Sequence, residues 1–273
     1  MKPFSVRFRY MAMLFALALL PTQATAIEGG YQMTAEDPVS KGTGLLAIYD
    51  SQHEIHLCTV VLIAQDIALT AAHCFMGMPG NIDKFDKYIV FGSVQTLGNI
   101  PSRGIKLEEG DYVLMPNYIA GQIIEDLAVI HLRQKLPAGV KPLKIGTAPQ
   151  GVGEGNDVVI AGFGAENPGN SALLLTATNS RAVEFFNRRG AVGVASAPDK
   201  PHATHGDSGG PAVVVRAGVP YVYGIFSFYS EGQRSGIVAY SNIEYYVIAV
   251  NDIAHSFGST AHFVDTRRDA VQH

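Results

Sequence analysis

The sequence predicts a nearly all-β, antiparallel fold, and three observations carry that prediction. From Gly44 to Tyr240 the chain is a series of short runs rich in Val, Ile, Leu, Phe and Tyr. Clusters of Gly, Pro, Asn and Asp separate the runs, as turns separate antiparallel strands. No amphipathic helical stretch falls between them, which favours a sandwich or barrel over βαβ units.

In chain order the strands are "GLLAIY" (Gly44–Tyr49), "LCTVVLIA" (Leu57–Ala64), "YIVFGSV" (Tyr88–Val94), "LAVIHL" (Leu127–Leu132), "DVVIAGF" (Asp157–Phe163), "PAVVV" (Pro211–Val215) and "YVYGIFSFY" (Tyr221–Tyr229). Their β-branched and aromatic side chains suit a pleated, half-buried surface. The Gly- and Pro-rich stretch 137–155 reads as the passage from one β domain to the next. One helix stands near the end. Ser241 followed by Glu244 makes a capping box, and Ile243, Val247, Val250 and Ala254 recur at helical spacing. Residues 254–273 have mixed charge and weak periodicity, and read as a loosely held C-terminal extension.

The first 26 residues belong to a different class of segment. Lys2, Arg7 and Arg9 precede an apolar run from Tyr10 to Leu20, then Pro21 and "ATA" ending at Ala26. A positive start, an apolar run too short to span a bilayer comfortably and small residues at the cut predict a signal peptide over 1–26. An uncleaved anchor is the rival reading. Loss of three basic residues and no acid takes the net charge from −4 to −7. A mildly acidic exported chain has no electrostatic footprint for nucleic acid. No later segment is long and apolar enough to cross a membrane. With 47% hydrophobic and 16% charged residues, the chain can build one sizeable core or two small ones. Cys58 and Cys74 are the only cysteines. An oxidising compartment pairs them, and closing that loop is worth about 3 kcal/mol in the chain-entropy model. A zinc site would need paired Cys/His spacing that is missing.

Three segments carry side chains suited to chemistry. "LTAAHCF" (Leu69–Phe75) has Cys74 directly after His73, so a bond to Cys58 holds His73 on a rigid element. "IIEDLAVIHL" (Ile123–Leu132) puts Asp126 at the start of a buried strand, where an unpaired carboxylate is costly. "THGDSGGPA" (Thr204–Ala212) places Ser208 among Gly206, Gly209 and Gly210, which permit positive φ and close approach of another chain. A serine hydroxyl needs a base within reach, and an imidazole needs a group that fixes its tautomer. His73, Asp126 and Ser208 supply those parts, with the serine coming from the later β domain.

"TAAHC", "DLAVI" and "GDSGGP", with "AGFG" (Ala161–Gly164) and "IEGG" (Ile27–Gly30), resemble the chymotrypsin/trypsin family of serine proteases, in register from Ile27 to about Ile253. The resemblance implies a protease domain over 27–253 with two antiparallel six-stranded β-barrels, the active site in the cleft between them, and a C-terminal helix. It implies a secreted serine endopeptidase that needs no cofactor and acts on polypeptides through an acyl-enzyme. Gly206 and Ser208 would offer backbone N–H groups as an oxyanion hole. Asp207 would pair with the freed α-amino group of Ile27. Because Ile27 directly follows the Ala-x-Ala site, signal peptidase alone could release it. The pair's contribution would be complete below the free amine's pKa of about 7.7–8.0 and fade as pH climbs through the folded value.

Several residues depart from the family pattern. Glu28 replaces an aliphatic residue beside the new N-terminus. His202 stands where trypsins keep an aspartate, so the register argues against cleavage after Lys or Arg. Ser227, Phe228 and Tyr229 resemble the substrate-pairing strand, and Val238 the pocket wall. Tyr229 and Val238 replace glycines of an open pocket, which favours small or medium apolar side chains. A competing reading makes His202 or His205 the partner of an acidic side chain, more strongly at mildly acidic pH. The bland reading makes both plain loop histidines. The cysteines that brace the pocket in vertebrate relatives are missing, which fits a bacterial member.

Other classes fit less well. "GDSGG" satisfies the nucleophile elbow of α/β-hydrolases, yet a strand follows Ser208 instead of a helix. "GVGEGND" (Gly151–Asp157) is similar to a nucleotide-binding loop but precedes its strand. A metal site at His53 and His56 in "HEIH", or at His202 and His205, is the less favoured reading. The alternative of another class is a non-catalytic homologue that binds partners, set against the retention of all three reactive residues.

Overall fold

The computed structural model describes residues 27, 30–76, 78, 80–94, 96–122, 124–147, 157–164, 173–184, 191–195, 203–229 and 237–265. Within them the strands form two sheets. The short strand β1 (Tyr31–Gln32) joins the second sheet. The first is built from β2 (Thr43–Tyr49), β3 (Ile55–Leu62), β4 (Ile67–Thr70), β5 (Asp86–Phe91), β6 (Ile105–Leu107), β7 (Tyr112–Leu114) and β8 (Ala128–His131). Its order is β6-β5-β2-β3-β4-β8-β7, antiparallel throughout. The two edge strands, β6 and β7, are consecutive in the chain, so the sheet has curled until its edges lie on adjoining stretches.

The second sheet holds β9 (Lys144–Thr147), β10 (Asp157–Gly162), β11 (Thr176–Glu184), β12 (Ala191–Ala195), β13 (Pro211–Arg216), β14 (Val219–Tyr229), β15 (Ile237–Asn242) and β16 (Phe263–Asp265). Six of them close a ring, β13-β10-β11-β12-β15-β14 and back to β13, every step antiparallel. The strand β1 attaches to β11, while β9 runs parallel to β14 and β16 parallel to β9. This is consistent with the two-barrel architecture expected, but the strand count differs: among the described residues the first sheet has seven strands with edges β6 and β7 unpaired with each other, and the second adds β1, β9 and β16 to its six-stranded ring. Sheet membership changes between His131 and Lys144, at the front of the 137–155 stretch; residues 148–156 lie outside the described residues.

Alternation along the strands explains the continuous apolar runs. On β2 to β4, Leu46, Ile48, Val60, Leu62 and Ala68 pack with Ile89, Ile130 and Phe75 in a cluster confined to the first sheet. Their neighbours Leu45, Ala47, Val61 and Leu69 pack against Val213, Val222, Ile225, Ile243 and Val250 of the second sheet and the C-terminal helix. Both faces are buried, so these strands lose the apolar/polar alternation of a one-sided sheet. The interface is therefore a core in its own right.

Two single-turn helices, α1 (Pro38–Gly42) and α2 (Ile100–Arg103), and the longer α3 (Ile243–Ser256) complete the fold. The cap of α3 differs from the sequence expectation. Asn242, not Ser241, is the N-cap, accepting from Glu244 N at 3.1 Å. Ser241 is drawn inward, where its Oγ donates to Asp126 O at 2.9 Å. The buried face of α3 is Ile243, Tyr246, Val250 and Ala254. Tyr246 takes the inward place expected for Val247 because its phenol oxygen accepts from Glu125 N at 3.0 Å.

The described part of the C-terminal extension is also held more firmly than its composition suggests. Ser259 Oγ donates to Asp66 Oδ1 at 2.5 Å, and β16 then pairs with β9. One tail thus ties the first barrel's β3–β4 turn to the second sheet. Residues 266–273 lie outside the described residues.

Candidate active site

His73 stands on a single 3-10 turn (Ala72–Phe75) directly after β4. The turn is anchored from behind by the Cys58–Cys74 disulfide, whose Cα atoms are 6.4 Å apart. Thr70 Oγ1 adds a bond to Thr59 O at 2.7 Å, so the turn is tied to β3 at two points. The ring is left one-third exposed, at 33% of its side chain.

Asp126 approaches from the start of β8 and is 1% exposed. Three donors satisfy its carboxylate. Oδ1 accepts from His73 N at 2.8 Å, and Oδ2 lies 2.7 Å from His73 Nδ1 and accepts from Ser227 Oγ at 2.6 Å. An ionised carboxylate only accepts, so this geometry assigns the proton to Nδ1 and leaves Nε2 as the basic nitrogen of the neutral ring. Glu125, one residue earlier, has a left-handed backbone at φ 57°. That bend sends its carboxylate away, to accept from Asn117 N at 3.0 Å and Nδ2 at 3.2 Å. Adjacent acids thereby face different partners.

The Thr204–Gly210 loop is pinned by glycines. Gly206 and Gly209 have φ of +98° and +84°. A Cβ on Gly209 would lie 2.1 Å from Thr59 O and from Thr70 Oγ1, and 3.1 Å from Ala71 N. Only a glycine lets this loop press against the strand end that carries His73. Ser208 O accepts from Thr59 N at 2.7 Å, and the Ser208 side chain stays partly exposed. Among the described residues Gly206 N and Ser208 N donate to no acceptor, which leaves both amides available. No hydrogen bond joins Ser208 Oγ to the His73 ring among the described residues. In ligand-free sites such bonds are often long and tighten only with substrate.

Asp207 points the other way, into the second barrel, and is 3% exposed. Oδ1 accepts from Gly164 N at 2.7 Å, and Oδ2 from Thr204 N at 2.8 Å and Thr204 Oγ1 at 3.4 Å. Burial pushes its pKa up to about 6, against the lowering effect of those hydrogen bonds. No cation pairs with it among the described residues. Ile27 is 1% exposed in the cluster with Val158, Ile160 and Ala203. Its nitrogen donates to Thr176 Oγ1 at 2.5 Å, not to Asp207. In the uncut chain that nitrogen is an uncharged amide, joined to Ala26.

The remaining substrate-binding expectations divide. His202 lies outside the described residues, and His205 is exposed on the turn before Gly206. Ser227 is on β14, but its hydroxyl is spent on Asp126. On the backbone, Phe228 pairs with Ala239 and Tyr229 with Val238 across β14 and β15; the side chains of Phe228, Tyr229 and Val238 lie outside the described residues. The hydroxyls of Ser227 and Ser241 were not legible as supports of Asp126, because nothing in a strand's sequence says which distant group a buried hydroxyl meets. Among the described residues Cys58, His73 and Cys74 cluster closely enough to hold a metal, yet the disulfide consumes both sulfurs. His56 Nε2 lies 3.2 Å from Asp50 Oδ2. No helix among the described residues is long and apolar enough to cross a membrane.

Comparison with known proteins identifies the family. The Trypsin family model matches residues 38–250. The chain is 25% identical over 263 residues to Transmembrane protease serine 11C of Mus musculus, covering 89% of this chain and 59% of that protein. It is 28% identical over 211 residues to Trypsin epsilon of Drosophila erecta, covering 71% of this chain and 75% of that protein. The chain thus spans little more than half the length of the mouse relative. With the family match covering residues 38–250, more than half of the sequence, the chain belongs to the trypsin family of serine endopeptidases.

Proposed function

We propose that this chain is a secreted serine endopeptidase that cleaves peptide bonds through His73, Asp126 and Ser208. The observation that carries the reading is the buried Asp126 carboxylate, which takes both the ring Nδ1 and the backbone N–H of His73. A ring so held presents Nε2 as a base of fixed orientation, and Ser208 is the hydroxyl on the neighbouring loop.

In this mechanism His73 Nε2 takes the Ser208 proton as Oγ attacks the scissile carbonyl carbon. Asp126 stabilises the imidazolium that forms, and the oxyanion receives the N–H groups of Gly206 and Ser208. Collapse of the tetrahedral intermediate passes the proton to the leaving amine and leaves an acyl-enzyme on Ser208. Water then repeats the sequence and frees the acid. Release of the Ile27 amine by signal peptidase after Ala26 supplies Asp207 with a cation. By family register His202 replaces the acidic partner of a Lys or Arg side chain, which argues against trypsin-like cleavage, and Tyr229 and Val238 in place of glycines favour small or medium apolar residues.

A peptidyl phosphonate tests the chemistry directly. It should label Ser208 stoichiometrically in the chain that begins at Ile27, and Ser208→Ala should lose peptide hydrolysis while keeping its fold. Unimpaired turnover by that variant refutes the mechanism. Absence of labelling of the native chain favours a non-catalytic binding homologue. A mixed peptide library reads the pocket, and dominant cleavage after Lys or Arg overturns the specificity.

A further inference from the structure

Thr59 on β3 has no solvent exposure, yet every one of its polar groups is used. Its N–H donates to Ser208 O at 2.7 Å and its carbonyl accepts from Thr70 Oγ1 at 2.7 Å. Its hydroxyl accepts from Phe163 N at 3.0 Å and donates to Gly206 O at 2.8 Å. One residue of the first barrel therefore joins the strand before His73, the end of β10 and the loop of Ser208. A buried hydroxyl is costly unless bonded, and this one is bonded on both sides.

The Gly206 carbonyl belongs to the peptide unit that lies between two free amides, Gly206 N and Ser208 N. Gly206 has a positive φ and no side chain, so its local sequence does little to stop that peptide from rotating. Rotation there changes the angle between the two amides. The Thr59 hydroxyl takes the carbonyl from the side facing the first barrel, and the Thr59 N–H fixes the next carbonyl but one, that of Ser208. The peptide is thus clamped at both ends of the Asp207–Ser208 segment.

We propose that the Thr59 hydroxyl is a positioning residue that aims the amides of Gly206 and Ser208 at one point, and so acts on kcat through the oxyanion. The proposal rests on reading those amides as the oxyanion donors. Phe163 N on the same hydroxyl links this aim to the close of β10, beside the Gly164 N–H that holds Asp207. The first barrel thereby contributes to a hole whose donors all come from the second.

The test compares Thr59→Val with Thr59→Ser, using a peptide anilide that the native chain cleaves and a peptide boronate of the same sequence. Valine keeps the shape and removes both hydrogen bonds; serine keeps the hydroxyl. Thr59→Val should lower kcat about 10- to 100-fold, since misplaced donors act only in the transition state. Its KM should stay within about twofold, and boronate binding should weaken by the same factor as kcat/KM. Thr59→Ser should retain kcat within about threefold. Native-like kcat in Thr59→Val overturns the proposal, as does a loss that serine fails to rescue or one that falls on KM. Should the valine variant not fold, Thr59→Ala is read by the same criteria. Ser208→Ala separates the two levels. If it is inactive while Thr59→Val is native-like, only this inference fails; if it retains turnover, the reading of the site fails with it.

Discussion

The charge on Asp207 makes a pH-dependent difference between uncut and cut chains. The perturbation is a single bond: freeing the Ile27 nitrogen turns an amide that donates to Thr176 Oγ1 into an ammonium, which the proposed pairing brings to the buried Asp207 carboxylate. Without a cation, burial raises the Asp207 pKa from 3.8 to about 6. Between these values the folded chain keeps a proton that the unfolded chain has released, so stability falls as pH rises. A shift of about two units at about 1.4 kcal/mol each amounts to about 3 kcal/mol, fully lost above pH 6. An ammonium partner removes that penalty by favouring the charged carboxylate. The assay is urea unfolding at pH 4, 5, 6 and 7 of two Ser208→Ala chains beginning at Ile27, one with a free amine and one acetylated. Other carboxylates titrate alike in both, so the difference isolates this pair. The free-amine chain should gain stability over its acetylated twin by about 2.5 kcal/mol between pH 4 and pH 7, the rest lying below pH 4. Parallel profiles across that range would refute the pairing of Ile27 with Asp207.

Two further outcomes follow from the geometry. Asp126→Asn cannot accept from both His73 groups and Ser227 as a carboxylate does, and it favours the wrong ring tautomer; kcat should fall about 10⁴-fold with little change in KM, measured by steady-state anilide hydrolysis. Gly209→Ala forces a Cβ to 2.1 Å from Thr59 O and Thr70 Oγ1 at a φ of +84°, so thermal unfolding should show a loss of at least about 2 kcal/mol and a fall in activity.

How much of the site could be read in advance differs from residue to residue. His73, Asp126 and Ser208 sit in short motifs whose local chemistry is unusual: a histidine beside a bridging cysteine, an acid opening a buried strand, a serine among glycines. Glu125 and Asp126 look equivalent in sequence, and it is the left-handed bend at Glu125 that turns one toward Asn117 and the other toward His73. Ser227 was expected on the substrate-pairing strand, and the additional bond of its hydroxyl to Asp126 was not legible in the sequence. Ser241 carried a capping signal, but a carbonyl from a segment 115 residues earlier claimed its hydroxyl and left the cap to Asn242. The short strands β6, β7, β9 and β16 show little periodicity of their own, because their place depends on the neighbours that leave an edge unpaired.

The sequence by itself determined the antiparallel strand character, the disulfide-forming pair, the C-terminal helix and the three segments that carry His73, Asp126 and Ser208. Each of these depends on local propensity, or on residue types with few other uses. The tertiary structure decided the closing of the second sheet on itself, the burial of the first sheet on both faces, and which hydroxyl holds which acceptor. It also decided that the end of the chain returns as a strand. These depend on contacts between residues far apart in the chain, where a buried polar group takes whichever partner folding brings within reach, and no local pattern encodes that choice.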